Sequence, residues 1–426
     1  MARAPTFLSD AVDVHLHAAE LGPDVKVGRL FYRSVRGRSA ISFEYDAAWL
    51  GSRRAFILDP RLDLYAGEQF AAEGSSSFGI FLDSAPDRWG RVLLDRRAAL
   101  AARDAERPMR ALSDWDYLLG VQDECRMGAL RFRRDDASQF LDDRQPPAPP
   151  VTSLRELEAM SLALEARDAA ELPAYRQWLA ALIAPGTSLG GSRPKANFRE
   201  PDGSLWIAKF PSREDRRDIG AWEKVAYDLA RDCDIEVSPA RVKVFNSPHH
   251  TFCVRRFDRS GTERRFFVSA MTLLDRRDGA AASYPEIAEF IQDHGAHGQV
   301  GADLEQLFRR VLFNVLIGNT DDHLRNHGFI RHPSGWRLAP AYDLNPNPAR
   351  RTHALKLDGD GDIPSIETVI ATAGLYRLKT ARAGRVLAEM RKVTSAWRAR
   401  ARAMRLPAHE IALVEPAFEL STLTRR

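Results

Sequence analysis

The chain has 426 residues, 44% hydrophobic and 28% charged, a profile of a water-soluble globular protein with core enough for two or three domains. Its 62 basic and 58 acidic residues give a formal net charge of +4, mixed along the chain, which excludes a strongly basic nucleic-acid-coating protein and leaves only a local basic face. Three cysteines, Cys125, Cys233 and Cys253, with no CxxC pair, exclude a disulfide scaffold and a zinc site; they read as small core residues in a reducing cytoplasm. No basic-then-apolar leader opens the sequence. No uncharged stretch reaches the roughly 18–20 residues that span a bilayer, so no membrane role is expected.

In chain order, Val12–Leu16, Val27–Tyr32 and Ile41–Tyr45 alternate as strands, with Gly22-Pro23 and Gly37 as turns. A helix follows through Ala102, with Ser84 or Asp87 as its cap, and a second includes Trp115–Leu119. The cluster Arg-Gln-Pro-Pro-Ala-Pro-Pro reads as a linker, because prolines continue neither helix nor ladder. The boundaries expected are a β-rich unit over 1–143, a linker at 144–151, a nucleotide lobe over 152–260 and a helical lobe over 261–426. Thr152 to Ala181 is expected to be mostly helical, with Ser153 and Glu156 in capping-box spacing and a break at Pro173.

Then comes a glycine-rich stretch, 186–195. Small residues there let backbone N–H groups approach a phosphate, and Lys195 adds charge. It matches neither GxxxxGK[ST] nor GxGxxG. The strand 204–210 carries Lys209, and the helix Ile219 to Arg231 carries Glu223. Glycine loop, strand lysine and helix glutamate, in this order, are the parts of a kinase nucleotide lobe. Lys209 would meet the nucleotide phosphates and Glu223 would hold it, with Glu214 as a rival. A hairpin of 240–245 and 251–257 ends at Arg255, Arg256 and Phe257. These are expected at the hinge beside the adenine; core packing explains Phe257 equally well.

The chemistry concentrates at Gly318-Asn319-Thr320-Asp321-Asp322-His323-Leu324-Arg325-Asn326. Before it, Leu304–Ile317 has apolar residues spaced for a buried helix face. After it, 328–332 and 335–339 read as two strands around a Pro-Ser turn, followed by Ala341-Tyr342-Asp343. Phosphoryl transfer needs a carboxylate at the attacking hydroxyl, and an amide and a carboxylate on Mg²⁺. Protein kinases place the metal-binding Asn five residues after the catalytic Asp, and the metal-binding Asp after a short hairpin. Asp321 and Asn326 have that spacing, and Asp343 follows the hairpin. Asp321 is therefore the candidate base, and Asn326 and Asp343 the metal ligands. Asp322 is one residue short of the spacing and is read as a surface or supporting residue. A long loop is expected over 344–362, and an Arg-rich helical segment over 379–405, with Val386, Met390, Val393 and Trp397 on its apolar stripe.

These motifs resemble the HipA family, serine/threonine kinases that are toxins of bacterial toxin–antitoxin modules. Gly318–Asn326 resembles its catalytic loop, Leu338–Leu344 its metal-binding segment and Gly190–Lys195 its nucleotide loop. Asp83–Arg91 and Gly128–Phe132 resemble its N-terminal subdomain. The resemblance implies an α+β, two-lobed, protein-kinase-like fold with an N-terminal β-rich subdomain. It implies ATP and Mg²⁺ as cofactors. It implies that Gly190, Gly191, Ser192, Arg193, Pro194, Lys195, Lys209, Arg255, Arg256, Phe257 and His323 line the ATP site. Ser188 resembles the family's autophosphorylated serine, with Thr187 as a second candidate. The partners implied are a HipB-like helix-turn-helix antitoxin, operator DNA mainly through that antitoxin, and a protein substrate such as an aminoacyl-tRNA synthetase. A small-molecule kinase and a non-catalytic co-repressor are the competing readings.

Overall fold

The computed structural model describes residues 7–35, 38–72, 75–134, 139–141, 148–166, 168–183, 191 and 193–422. Most of the proline cluster, at 144–147, lies outside them, as do Thr187, Ser188, Gly190 and Ser192. The chain divides into two compact units, Met1–Ile207 with Asp258–Val268, and Ala208–Phe257 with Ser269–Arg426.

The first unit is built on an antiparallel sheet in the order Gln69–Phe70, Arg38–Tyr45, Val25–Val35, Phe7–Leu16 and Leu130–Arg133. Val12, Val14 and Leu16 alternate onto one face and are buried. Gly28 lies opposite Tyr45, where a Cβ would stand 2.2 Å from the Phe43 ring, so only glycine fits. The helix Arg88–Asp104 starts at Asp87, whose carboxylate accepts from the Gly90 N–H at 2.8 Å. Two further helices, Leu154–Leu164 and Tyr175–Ile183, pack on each other. The expected capping box at Ser153 does not form. Ser153 is itself helical (φ −81°, ψ −7°), the end of a 3₁₀ turn, so its hydroxyl does not reach back over the first turn. The break is also wider than Pro173, since among the described residues between Leu164 and Tyr175 only a 3₁₀ turn, Ala169–Glu171, is helical.

The segment 258–268 joins this unit through buried charges. Asp258 accepts from the Gly128 N–H at 2.8 Å, Arg259 donates to the carbonyls of Glu124 and Arg126, and Arg264 donates to Asp123. Gly128 has φ 73°, which suits a residue without a Cβ.

In the second unit the longest helix, Val300–Ile317, is buried on nearly every side in its last three turns. Gly318 ends it in the left-handed conformation, φ 60°. A Cβ there would meet the Ala417 carbonyl at 2.6 Å. The hairpin of Gly328–His332 and Gly335–Leu338 follows, with Phe329 opposite Leu338. Ile219–Asp232 is a helix capped by Asp218, and Ala240–Lys243 pairs with Thr251–Arg255. No strand or helix interrupts 344–362. The Arg-rich segment forms two helices, Thr380–Thr394 and Trp397–Ala403, burying Val386, Met390 and Trp397; Trp397 stacks on Phe418 at 4.4 Å. All three cysteines are buried and none is in a disulfide. Among the described residues no helix is long and apolar enough to cross a membrane.

Candidate active site

The second unit brings together three charges from three segments. Lys209, at the end of the strand Leu205–Lys209, donates to Glu223 Oε1 at 2.6 Å and to Asp343 Oδ1 at 2.8 Å. Glu223 lies on the inner face of the helix 219–232, whose apolar side packs inward, and is 1% exposed. The rival Glu214 is exposed. Burial by itself would lower the Lys209 pKa, but the carboxylates of Asp343 and Glu223 outweigh it and hold the ammonium well above the ordinary lysine value. Asp343 adopts φ 59°, a left-handed conformation that Asp tolerates better than most residues, and Asn345 donates to its Oδ1 at 3.3 Å. The preceding Tyr342 donates to the Arg325 carbonyl at 2.6 Å and stacks on Phe257 at 5.4 Å.

Residues 318–326 form a loop with two aspects. Asp321 is exposed, and Arg350 donates to its Oδ1 at 2.7 Å. Asn326 is 7% exposed; its Nδ2 faces the Asp321 carbonyl at 3.4 Å, which turns its Oδ1 the other way. His323 is exposed, and its carbonyl accepts from the Asn326 N–H at 2.8 Å.

Asp322 points inward, the supporting role of the two expected for it. It is 2% exposed, and its Oδ2 accepts from the Tyr284 hydroxyl at 2.7 Å and from Asn314 Nδ2 at 2.8 Å, with His327 Nε2 at 2.7 Å. Burial would raise the Asp322 pKa, yet His327 and these hydrogen bonds hold it below the usual carboxylate value. Asn314 is the polar interruption of the buried helix. Its amide is used on both sides, Nδ2 to Asp322 and Oδ1 from Asn319 Nδ2 at 3.0 Å. A buried amide is costly unless paired in this way. Tyr284, Asn314 and His327 were not expected. The one signal for Asn314 was a polar residue within an apolar run.

Lys195 is 1% exposed in the first unit, where its Nζ donates to Asp87 Oδ2 at 2.7 Å and to the Gly191 carbonyl at 3.1 Å. Its charge is thus answered by the residue that caps the helix 88–104. Gly191 has φ 54° and is exposed, Arg193 is half-buried and Pro194 buried. In the second unit Arg255 donates its N–H to the Pro239 carbonyl at 2.9 Å, and Arg256 is 4% exposed.

Residues 187–397 match the family of HipA-like C-terminal domains. Over 185 residues it is 34% identical to a Haemophilus influenzae protein named "Putative kinase", covering 37% of this chain and 52% of that one. Over 187 residues it is 25% identical to the serine/threonine-protein kinase toxin HipA of Shewanella oneidensis, covering 38% of this chain and 43% of that one. The chain thus spans about half the length of the curated relatives it matches. A structure of the Shewanella oneidensis MR-1 toxin–antitoxin system, HipA with HipB and operator DNA, superimposes with a TM-score of 0.65 at 18% identity, covering 96% of this chain and 95% of that one. The fold is therefore the kinase-like α+β fold of HipA. The matched residues begin within the glycine-rich stretch and include Lys209, Glu223, Asp321, Asn326 and Asp343.

Proposed function

We propose that this HipA-like chain is an ATP-dependent protein serine/threonine kinase, the toxin of a toxin–antitoxin pair. The observation that carries the reading is Lys209 held between Glu223 and Asp343 at 2.6 and 2.8 Å. A lysine fixed in this way presents its ammonium in one place, ready for a phosphate oxygen. One ammonium against two carboxylates also leaves the cluster net negative, so a polyphosphate needs a further cation there. Asn326 and Asp343 offer an amide oxygen and a carboxylate, hard donors of the kind Mg²⁺ takes alongside substrate phosphates. Among the described residues no cluster of three His, Cys, Asp or Glu side chains is placed to hold a metal alone. Mg²⁺, when bound, neutralises charge on the phosphates.

Asp321 orients the acceptor hydroxyl and accepts its proton. Its exposure suits an acceptor that arrives from solvent. Asp322, Tyr284, Asn314 and His327 hold the loop from beneath. Arg255–Phe257 and His323 meet the nucleotide, and Ser188 is the autophosphorylation site. A HipB-like antitoxin is the partner, with operator DNA contacted mainly through it, in the cytoplasm. The target is a component of translation such as an aminoacyl-tRNA synthetase.

The test is intact mass before and after incubation with ATP and Mg²⁺, for wild type and Asp321→Ala, followed by incubation with cell lysate and labelled ATP. One phosphate gained by the chain or by a lysate protein, in wild type alone, is expected. Label found only on a metabolite would convert the reading to a small-molecule kinase. Bound ATP with no transfer to anything would leave a non-catalytic binding protein.

A further inference from the structure

The carboxylate of Asp321 stands in solvent, and an exposed carboxylate ordinarily samples several rotamers. Among the described residues one side chain bonds to it, Arg350, whose Nη1 donates to Oδ1 at 2.7 Å. Exposed ion pairs are usually weak because two mobile side chains must be held in one geometry. The backbone around Arg350 removes part of that cost. On its N-terminal side, the Asn345 N–H donates to Asn319 Oδ1 at 3.4 Å and the Asn347 N–H to the Gly318 carbonyl at 2.9 Å. On its C-terminal side, the Ala354 N–H donates to the Thr320 carbonyl at 2.9 Å. Between these ties the Ala349 N–H donates to Asn347 Oδ1 at 3.2 Å, closing a tight turn directly before Arg350. Both ends of the span are therefore fastened to residues 318–320, immediately before the aspartate that Arg350 contacts.

We propose that Arg350 is a positioning residue for Asp321. The clamped span 345–354 delivers the guanidinium to Oδ1, which fixes the carboxylate and leaves Oδ2 turned to the acceptor hydroxyl. This rests on the phosphoryl-transfer reading of Asp321. Arg350 itself touches neither nucleotide nor acceptor in this scheme. Its effect is on the rate of transfer from the bound state, because misplacing a reacting group by a fraction of an ångström is costly.

The experiment compares wild type, Arg350→Ala, Arg350→Lys and Asp321→Ala as full chains. Three readouts are taken: the maximal rate of phosphate incorporation at saturating ATP and Mg²⁺ into whichever protein the wild type labels, the affinity for a fluorescent ATP analogue, and the melting temperature. Arg350→Ala is expected to lower the maximal rate about 10- to 100-fold. Nucleotide affinity and melting temperature should stay at wild-type values. Arg350→Lys should recover part of the rate, since it restores the charge without the planar fork. A wild-type rate in Arg350→Ala overturns the proposal. So does a loss matched by an equal loss of nucleotide affinity or of melting temperature, which would make Arg350 structural. If wild type transfers phosphate and Asp321→Ala does not, the reading of Asp321 stands whatever Arg350→Ala does. If wild type labels nothing, that reading falls and this proposal with it.

Discussion

Lys209→Met separates what the charge cluster contributes to stability from what it contributes to function. The substitution keeps most of the apolar stem and removes the ammonium that donates to Glu223 at 2.6 Å. The Glu223 side chain is 2% exposed, so its carboxylate loses the Lys209 ammonium without gaining water. Breaking a buried pair in this way costs about 3–5 kcal/mol. The Asp343 side chain is 31% exposed and can be hydrated, so it adds little. Glu223→Gln on top of Lys209→Met deletes the stranded charge and should recover about half of the loss or more. The assay is the urea midpoint followed by tryptophan fluorescence, since Trp222 neighbours Glu223 in the same helix. A chain of two compact units does not promise a single two-state transition, so midpoints are compared rather than extrapolated free energies. Neither variant should bind ATP at wild-type affinity, since neither has the lysine. A single variant as stable as the double at pH 7 would refute the placement of Glu223 as a buried charge neutralised by Lys209.

Three further outcomes follow from the loop and its supports. Asp322→Asn should destabilise at pH 7 by about 3 kcal/mol, since it removes the charge from a buried acceptor of several hydrogen bonds. The folded-state pKa of Asp322 lies below its unfolded value, so its contribution is present above about pH 4 and fades as pH falls further. The wild type and variant urea midpoints should therefore draw together as pH falls below about 4. His353 is buried, and burial pushes its imidazole down to about 4. The unfolded chain thus binds a proton that the folded chain refuses, and stability should drop by about 3 kcal/mol as pH falls from 6.5 to 4. His353→Phe should flatten that part of the profile, as measured by melting temperature against pH. Gly318→Ala should lower the melting temperature by several degrees, because a Cβ would press on Ala417 at a left-handed φ of 60°.

The sequence made local features plain and left long-range ones hidden, for physical reasons. The helix 300–317 was readable because its apolar residues follow a helical period and Gly318 supplies the only cheap left-handed stop. The hairpin was readable from two short strands around a Pro-Ser turn, and Asp343 could be placed after it. Lys209 and Glu223 could be paired by the order of their elements, although order alone did not separate Glu223 from Glu214. The inward turn of Asp322 was not readable, because spacing within a loop says nothing about which side faces the core. Arg350 was less readable still. It is 29 residues from Asp321 in a stretch without periodicity, and only the fastening of 345–354 to 318–320 brings it there. The failed cap at Ser153 shows the converse, a local pattern overruled by the 3₁₀ turn in which it sits.

The loop 321–326 alternates strictly between exposed and buried residues: Asp321, His323 and Arg325 outward, Asp322, Leu324 and Asn326 inward. Each outward charge with a partner meets one from a distant segment, Asp321 with Arg350 and Arg325 with Asp278 at 2.8 Å through both Nε and Nη2. Asp322 ties the loop to the helix 300–317 and to Tyr284. One short segment therefore carries two interleaved tasks. Asp322 and Leu324 fix where the backbone runs, Asp321 and His323 meet what arrives from solvent, and Asn326 is buried yet offers its amide oxygen as a metal donor. Substitutions should sort accordingly: changes at Asp322 and Leu324 lower the melting temperature and activity together, whereas changes at Asp321 and His323 lower transfer while the fold survives. Asp322→Asn and Asp321→Ala, adjacent in sequence and alike in chemistry, form the sharpest pair. If both lowered the melting temperature equally, the division of the loop into an anchoring and an acting set would be wrong.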